Sequence, residues 1–452
     1  MTMSSDAPQD HENLFSVNQT PFTRRHRWRP NDVDIRRWAE LFGGGLTIVH
    51  IAEQENVDPG TVSQQLHKLG LTVTQGHHMV QQLPLKYPPQ FIELVDRGPD
   101  VVLEFVKSRV WGIQASSTGV KQLQSFCEFV RLHHLGVGVK EMSRTLSVHR
   151  STISHWRDAT DQPYLIRAAS DTLPLVPRTG WKMMPMHLVS GGSEPSDWIH
   201  VPETIRSYND VLDVINQIQP LEETYRRASL FGLAKTQVQE MRPELFGYQL
   251  GIMGGDSGKL GGQQPRYSSM NLDLQLTQKQ PTNQRLGEFV MLCANSLGIG
   301  MERKRDKQPT GQTRESKEPA PAYRWTSERS PLLAWMFSVC LGLGWEETTT
   351  TDQLRMNWIF DTPRIFRVRF IQGVADSDGC VKGYEVEIAS VPNAHFFADF
   401  LLGLGMRTAH VSYEGGEPLK TMASRREAST LPIFNELVSS YRYDKMMSPY
   451  RS

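Results

Sequence analysis

Two stretches of the sequence decide the fold of the C-terminal half: LGIMGGDSG at residues 250–258 and QGVADSDG at residues 372–379. With an offset of 122 residues (373 minus 251), three positions coincide: Gly251 with Gly373, Gly255 with Ser377, and Asp256 with Asp378. Small residues spaced by four lie on one face of a helix, where they let two helix backbones pack closely. The repeat therefore predicts two tightly packed helices, each of which ends in an aspartate.

Such a pair would bring two carboxylates close together. A carboxylate at the C-terminal end of a helix faces the negative end of the helix dipole, and two neighbouring carboxylates repel each other. A divalent cation relieves both penalties, and carboxylate oxygens are the hard ligands that Mg²⁺ prefers. Two carboxylates beside a phosphate fit metal-assisted cleavage of a phosphodiester bond. Asp256 and Asp378 are therefore the predicted metal ligands and catalytic residues.

At these residues the chain resembles the LAGLIDADG homing endonucleases. The second motif lies in MNWIFDTPRIFRVRFIQGVADSDGCVKGYEVEIAS, which has the family's order of a tryptophan-containing segment, a helix ending in D-x-D-G, and a strand. The first motif, PELFGYQLGIMGGDSG, differs by having Ser257 where the family has glycine. The resemblance extends over residues 242–443. It implies an α+β fold: a pseudo-symmetric αββαββα saddle, preceded by two all-α helix-turn-helix domains.

Alternating strands after each motif extend the resemblance. Leu272, Leu274 and Leu276 alternate with polar residues, as do Val386 and Ile388. Alternation indicates a sheet with one buried and one free face. In the family the free faces lie along the major groove of DNA.

The resemblance also implies a function. It implies a monomeric, site-specific DNA endonuclease with an internal pseudo-two-fold axis, Mg²⁺ as cofactor and double-stranded DNA as partner. A basic residue near the acids is common in the family, and the candidates are Lys420 in the second half and Arg324 in the first. Phosphate contacts are expected from the basic run at residues 301–307, at Arg303, Lys304 and Arg305.

A second internal repeat lies in the N-terminal half. GLTIVHIAEQENVDPGTVSQQLHKLG from Gly45 and GVGVKEMSRTLSVHRSTISHWRDATD from Gly136 align without a gap at an offset of 91 (136 minus 45). Apolar residues recur at the positions that pack the two helices of a helix-turn-helix against each other. These are Ile48, Ile51, Val57 and Val62 in the first unit, and Val139, Met142, Val148 and Ile153 in the second.

The second helix of such a unit enters the major groove of DNA. The residues expected to contact DNA are Ser63, Gln64, His67 and Lys68 in the first unit, and His149, Arg150, Ser154, His155 and Arg157 in the second. Arginine can bind guanine with two parallel hydrogen bonds, and Arg157 can meet a phosphate. Of the two units, the second is therefore predicted to be the better suited to recognise DNA.

Composition sets the remaining expectations. Lysine plus arginine equals aspartate plus glutamate at 49 each, so net charge does not point to a nucleic-acid partner. The four cysteines lie far apart, which argues against disulfides and cysteine zinc sites. No apolar run is long enough to cross a membrane, so a cytoplasmic, DNA-associated protein is expected.

The predicted domains follow the chain in order. They are a disordered basic tail (1–31), a first helix-turn-helix (32–75), connecting helices (76–114), a second helix-turn-helix (115–160), a linker with short helices (161–240) and the endonuclease-like domain (241–450).

Two other functions share these features. A transcription regulator could use a LAGLIDADG domain that binds DNA without cutting it, and an RNA maturase could use the same fold in intron splicing. Retention of both Asp256 and Asp378 favours the endonuclease.

Overall fold

The structure is a computed structural model that describes residues 30–69, 71, 84–187, 197–255, 269–277, 281–305, 322–382 and 384–428. Residues 1–29 of the predicted tail, Asp256 in the first motif, and residues 257–268 lie outside this range. The described residues form a mixed fold of helices and small antiparallel sheets. They fall into two compact units, the first within residues 1–83 and 136–138 and the second within residues 84–135 and 139–452.

The first unit contains three short helices: α1 (Asp32–Gly43), α2 (Ile48–Gln54) and α3 (Pro59–Lys68). Asn31 caps α1 and Asp58 caps α3, each accepting a hydrogen bond from a backbone N–H of the first turn. The three helices bury a small core made of Trp38, Ile51, Ala52, Val62 and Leu66. Ile51 and Val62 are buried as predicted, while Ile48 and Val57 pack at the edge of this core.

The second unit begins with six helices. They are α4 (Pro89–Asp96), α5 (Pro99–Arg109), α6 (Ser117–His134), α7 (Val139–Leu146), α8 (Arg150–Asp158) and α9 (Tyr164–Thr172). The break between α4 and α5 falls at Gly98, whose φ of 105° favours glycine. An aromatic cluster holds α4, α6 and α8 together through Tyr87, Phe91, Phe126, Phe129 and Trp156.

Residues 161–240 differ from the linker that their prolines and glycines predict. Besides α9 they contain a hairpin of β1 (Trp181–Pro185) and β2 (Trp198–Pro202), in which Met183, Met184 and Val201 are fully buried. The Trp111 N–H donates to the Met183 carbonyl at 2.8 Å, and the Trp335 Nε1 donates to the Pro202 carbonyl at 3.0 Å. The hairpin therefore joins the helices in front of it to the C-terminal core.

Three helices lead from the hairpin into the C-terminal region: α10 (Tyr208–Gln217), α11 (Glu222–Ala228) and α12 (Lys235–Glu240). The first of these, α10, buries Val211, Val214 and Ile215.

The two predicted motif helices are α13 (Arg242–Gly254) and α16 (Arg364–Asp378). Both are buried around nearly their whole circumference, as expected for helices at the centre of a core. They lie side by side and form the most extensive contact between elements in the described part of the chain.

Each motif helix leads into one sheet. The first sheet has the order β3 (Asp273–Thr277), β5 (Ala322–Ser327), β4 (Met301–Arg305), and it packs on α14 (Pro281–Ser296). The second has the order β6 (Gly379–Lys382), β7 (Glu385–Ile388), β9 (Glu417–Ser424), β8 (His410–Glu414), and it packs on α17 (Ala394–Gly403). All pairs are antiparallel. The predicted strands around Leu274 and Ile388 are confirmed as β3 and β7.

Two shorter α-helices are α15 (Pro331–Trp335), which continues into a π-helical turn, and α18 (Arg425–Ala428). Short 3₁₀ helices lie at Ser229–Phe231 and Asn357–Asp361. Within the described residues, no helix has both the length and the apolarity needed to cross a bilayer.

Candidate functional site

The site is built on the crossing of α13 and α16, where glycines remove the side chains that would keep the two backbones apart. A Cβ on Gly251 would collide with the carbonyl oxygen of Phe370, and a Cβ on Gly373 would lie 2.7 Å from the backbone nitrogen of Ile252. Real Cβ atoms do not approach backbone this closely. The predicted packing of two glycine-lined helices is thus observed at the two glycines that the repeat aligns.

Polar bonds fix how the two helices lie against each other. The Arg369 Nε donates to Glu244 Oε2 at 3.0 Å, and this arginine is almost fully buried. Further along the crossing, the Tyr248 hydroxyl donates to Asp376 Oδ2 at 2.8 Å in a buried hydrogen bond. Asp376 therefore holds a structural bond between the helices, although it lies only two residues before the predicted catalytic acid.

The C-terminal ends of the two helices meet beside Asp378. A Cβ on Gly255 would lie 3.5 Å from the Cβ of Asp378 and would collide with the Ser377 hydroxyl. Asp378 is half-buried at the end of α16. Asp256, which follows Gly255 in the chain, lies outside the described residues. The residue that precedes the first acid is thus adjacent to the second acid.

The two basic candidates occupy equivalent places in their sheets. Lys420 on β9 pairs with Glu387 on β7 at 2.9 Å, and Glu387 lies opposite Met422, two residues beyond Lys420. Arg324 on β5 pairs with Asp273 on β3 through both its Nε, at 2.6 Å, and its Nη2. Asp273 lies opposite Thr326, which is again two residues beyond the base. The same diagonal ion pair therefore recurs in both halves.

Each of these ion pairs contains a buried acid. Glu387 is 5% exposed and Asp273 is 8% exposed. A buried carboxylate needs a positive partner. Sequence reasoning missed both acids, because each is one of several acids in an alternating strand and only the strand register identifies its partner.

The basic run at residues 301–305 is part of a strand, so its side chains alternate between the two faces of the sheet. Arg303 lies opposite the buried Trp325, and its guanidinium is 3.7 Å from Glu288 on α14. Lys304 lies opposite Arg324 on the other, polar face. Arg305 is the last residue of β4, and residues 306 and 307 lie outside the described residues. Arg303 and Lys304 therefore do not form one continuous basic patch.

In the second helix pair, α7 and α8, the structure separates the predicted contact residues into two groups. His149, Arg150 and His155 are exposed on α8 and its N-terminal cap, and Ser154 is half-buried. Arg157 instead binds the neighbouring Asp158 through Nε and Nη2, at 3.2 and 2.8 Å. The hydrogen bond from Arg157, followed by the charges of Arg157 and Lys86, lowers the pKa of the Asp158 carboxyl.

The buried side of this helix pair agrees with the expected packing. Met142 and Ile153 are buried, whereas Val139 and Val148 are half-buried. In the first unit, Gln64, His67 and Lys68 are exposed on α3, and Ser63 is half-buried.

Comparison with solved structures finds matches to structures of I-DmoI. A crystal structure of I-DmoI in complex with DNA and manganese is 15% identical, with a TM-score of 0.28, over 44% of this chain and 98% of that one. A structure of mesophilic variants of the homing endonuclease I-DmoI is 17% identical, with a TM-score of 0.29, over 44% and 97%. No family model and no curated protein matches the chain. These values do not establish a family.

Proposed function

We propose that this protein is a site-specific DNA endonuclease whose cutting centre lies where α13 and α16 end. The observation that carries the proposal is that Gly255 lies next to Asp378. A Cβ placed on this glycine would be 3.5 Å from the Cβ of Asp378. We propose that Asp256, the next residue in the chain, lies beside the second acid. The resemblance of both motifs to the LAGLIDADG pattern gives the two acids their proposed roles.

The chemistry of these residues fits a divalent cation. Asp378 supplies hard oxygen donors at the negative end of the α16 dipole, where a cation is favoured. Among the described residues, no three His, Cys, Asp or Glu side chains are grouped closely enough to hold a metal by themselves. We propose that Asp256 and Asp378 hold Mg²⁺ together with phosphate oxygens of the DNA. The bound cation would polarise the phosphate and lower the pKa of a water molecule.

Lys420 and Arg324 would act as fixed positive charges. Each is held on its strand by a buried carboxylate, so little side-chain freedom is left to lose when DNA binds. We propose that Lys420 stabilises negative charge near the cutting centre and that Arg324 has the equivalent role in the first half. Lys304, which faces the same side of the sheet as Arg324, would contact a phosphate.

The helix pairs would supply further contacts to double-stranded DNA. Arg150 and His149, at the N-terminal end of α8, would face base edges together with Ser154 and His155, as in a helix-turn-helix. Ser63, Gln64, His67 and Lys68 would act in the same way in the first unit. Arg157 and Arg303, which are paired with acids, would have to exchange those partners for a phosphate.

The experiment that tests the proposal first selects a target from randomised duplexes by binding in Ca²⁺. Cleavage of the selected duplex is then followed in Mg²⁺ by gel. We expect both strands to be cut at defined positions in Mg²⁺ and neither to be cut in EDTA. Defined binding without cleavage would instead make the protein a DNA-binding regulator. Selective binding of structured RNA over every duplex would support the maturase.

A paired charge change tests the second helix pair. We expect Arg150→Ala to weaken binding to the selected duplex and to make the fall of log K with log salt shallower by about 0.9, because one positive charge that neutralises a phosphate is lost. Asp158→Asn should have the opposite effect, since it releases Arg157 to meet the DNA. The measurement is fluorescence anisotropy at several salt concentrations, with Glu141→Gln on α7 as the control. Identical slopes in all four proteins would show that α8 does not face DNA.

A further inference from the structure

Lys420 lies on the strand next to the one that is bonded to Asp378. Gly379, the first residue of β6, lies opposite Ile388 on β7, and the Ala389 N–H donates to the carbonyl oxygen of Asp378 at 3.5 Å. β9 follows β7 in the sheet and carries Lys420. The sheet therefore brings a basic side chain within two strands of the acid at the end of α16.

The backbone of β9 is irregular directly before Lys420. Lys420 lies opposite Ser412 on β8, whereas Tyr413, the next residue of β8, lies opposite Pro418. β9 therefore has one residue more than β8 between these pairs, a β-bulge of the kind that twists a strand and redirects the side chains beside it. Beyond the lysine, Thr421 is 1% exposed, and its hydroxyl donates to a carbonyl oxygen at the start of α17 at 2.6 Å. The main chain thus fixes where the lysine side chain begins.

Glu387 fixes the other end of the same side chain. Its carboxylate accepts a hydrogen bond from the Lys420 Nζ at 2.9 Å, and the two side chains are 5% and 19% exposed. A buried carboxylate is costly unless a cation stays beside it, so the acid holds the ammonium group in one place. Without this partner the lysine would sample several rotamers, because its long stem is flexible.

The first half builds the equivalent pair from different residues. Asp273 accepts from the Arg324 Nε at 2.6 Å and also from its Nη2, and it accepts from the Thr326 hydroxyl at 3.0 Å. Arginine has the longer side chain of the two bases, and aspartate has the shorter side chain of the two acids. The two halves therefore span the same diagonal with opposite choices of length, which indicates that the position of the positive charge matters in each half.

We infer that Glu387 is a positioning residue that sets where the ammonium group of Lys420 is held relative to Asp378. The inference rests on the proposed endonuclease function, in which Lys420 stabilises negative charge near the cutting centre. Stabilisation of this kind requires the positive charge to be in place before the reaction begins. Glu387 acts on the reaction only through Lys420, so the loss of Glu387 has no further effect once Lys420 is gone.

A double-mutant cycle in the cleavage rate tests the inference. Glu387→Met removes the carboxylate and keeps most of the side-chain size, and we expect it to slow cleavage of the selected duplex about tenfold. Lys420→Met should slow cleavage about a hundredfold, and the double variant should cut within about twofold of the rate of Lys420→Met. Binding of Glu387→Met to the duplex in Ca²⁺ should be nearly unchanged.

Glu385→Met is the matched control, since Glu385 lies two residues earlier on the same face of β7, opposite Ser424. It should cut at the wild-type rate. The thermal midpoint reports whether Glu387→Met is folded. If it is not, Glu387→Gln, which removes the charge and keeps the size, takes its place in the same cycle with the same expectation.

Chemical labelling gives a readout that does not need activity. In the protein without DNA, we expect an amine-reactive reagent to modify Lys420 at least about threefold faster in Glu387→Met than in the wild type, because the carboxylate no longer restrains the ammonium group. Lys304 in the first half, whose side chain is 58% exposed, serves as the internal reference and should react equally in both proteins. The modified peptides are quantified by mass spectrometry.

A double variant slowed by the product of the two single effects, or equal labelling of Lys420 in the wild type and Glu387→Met, would overturn the inference. Slowing of Glu385→Met to the same degree as Glu387→Met would overturn it as well. If the wild type cuts no duplex in Mg²⁺, the proposed function fails, and labelling alone then decides whether Glu387 holds Lys420.

Discussion

Gly251→Val is expected to destabilise the second unit by about 3 kcal/mol, at the upper end of the usual cost of overpacking a core. The added side chain would meet the carbonyl oxygen of Phe370 and lie 3.0 Å from the backbone nitrogen of Val374, in a helix that cannot move away without breaking its own packing. The variant should show a lower unfolding midpoint in urea, followed by circular dichroism, and a lower yield of folded protein.

Gly254→Ala is the matched control for this prediction. Gly254 lies on the same helix, but a Cβ there would have only ordinary contacts, with its nearest atom at 3.6 Å. Alanine is also the better helix former by about 1 kcal/mol, so Gly254→Ala should be as stable as the wild type or slightly more stable. Equal stability of Gly251→Val and Gly254→Ala would rule out the close backbone crossing.

The second large effect concerns chemistry. Asp378→Asn should reduce cleavage by about a thousandfold or more and leave binding to the selected duplex nearly unchanged, because the neutral amide is a poor ligand for Mg²⁺. Rates are measured at saturating protein with excess Mg²⁺, and binding is measured in Ca²⁺. The thermal midpoint reports whether the fold is intact.

Asp399→Asn serves as the control for the loss of one negative charge in the same half, since Asp399 is exposed on α17. It should cut at the wild-type rate. Asp376→Ala should behave differently from both, because Asp376 accepts the buried hydrogen bond from Tyr248 and removing the acceptor should lower stability. Cleavage by Asp378→Asn at more than about a tenth of the wild-type rate would refute the assignment of this acid.

Local patterns were sufficient to predict the elements that carry the site. The glycine spacing predicted the contact of α13 with α16, and alternation predicted β3 and β7. These features depend on residues that are close together in the sequence. The spacing of small and apolar residues is therefore enough to predict them. The repeat at Gly45 and Gly136 likewise predicted the helix pairs α2 with α3 and α7 with α8, whose inner residues Ile51 and Ile153 are buried.

Contacts between distant segments could not be predicted in this way. The hairpin of β1 and β2 pairs Met183 with His200, although the prolines and glycines in this part of the sequence predict a linker. In the site, Asp376 and Asp378 look alike in the sequence, and only the position of Tyr248 shows that the first is structural. Thr349 stands in a run of four threonines, and no local pattern shows that its hydroxyl is the one that donates to the carbonyl oxygen of Gly255.

If the protein binds DNA as proposed, the β1 and β2 hairpin also affects the thermodynamics of that binding. It bonds to Trp111 on one side and to Trp335 on the other, so the α4–α9 helices and the motif helices belong to one compact unit before any DNA arrives. If the elements proposed to contact DNA were joined by a flexible linker, that linker would lose conformational entropy each time the protein bound DNA. In this protein the connecting segment is already ordered by folding. The loss of its conformational entropy therefore does not oppose binding, and a larger share of the interaction free energy contributes to affinity.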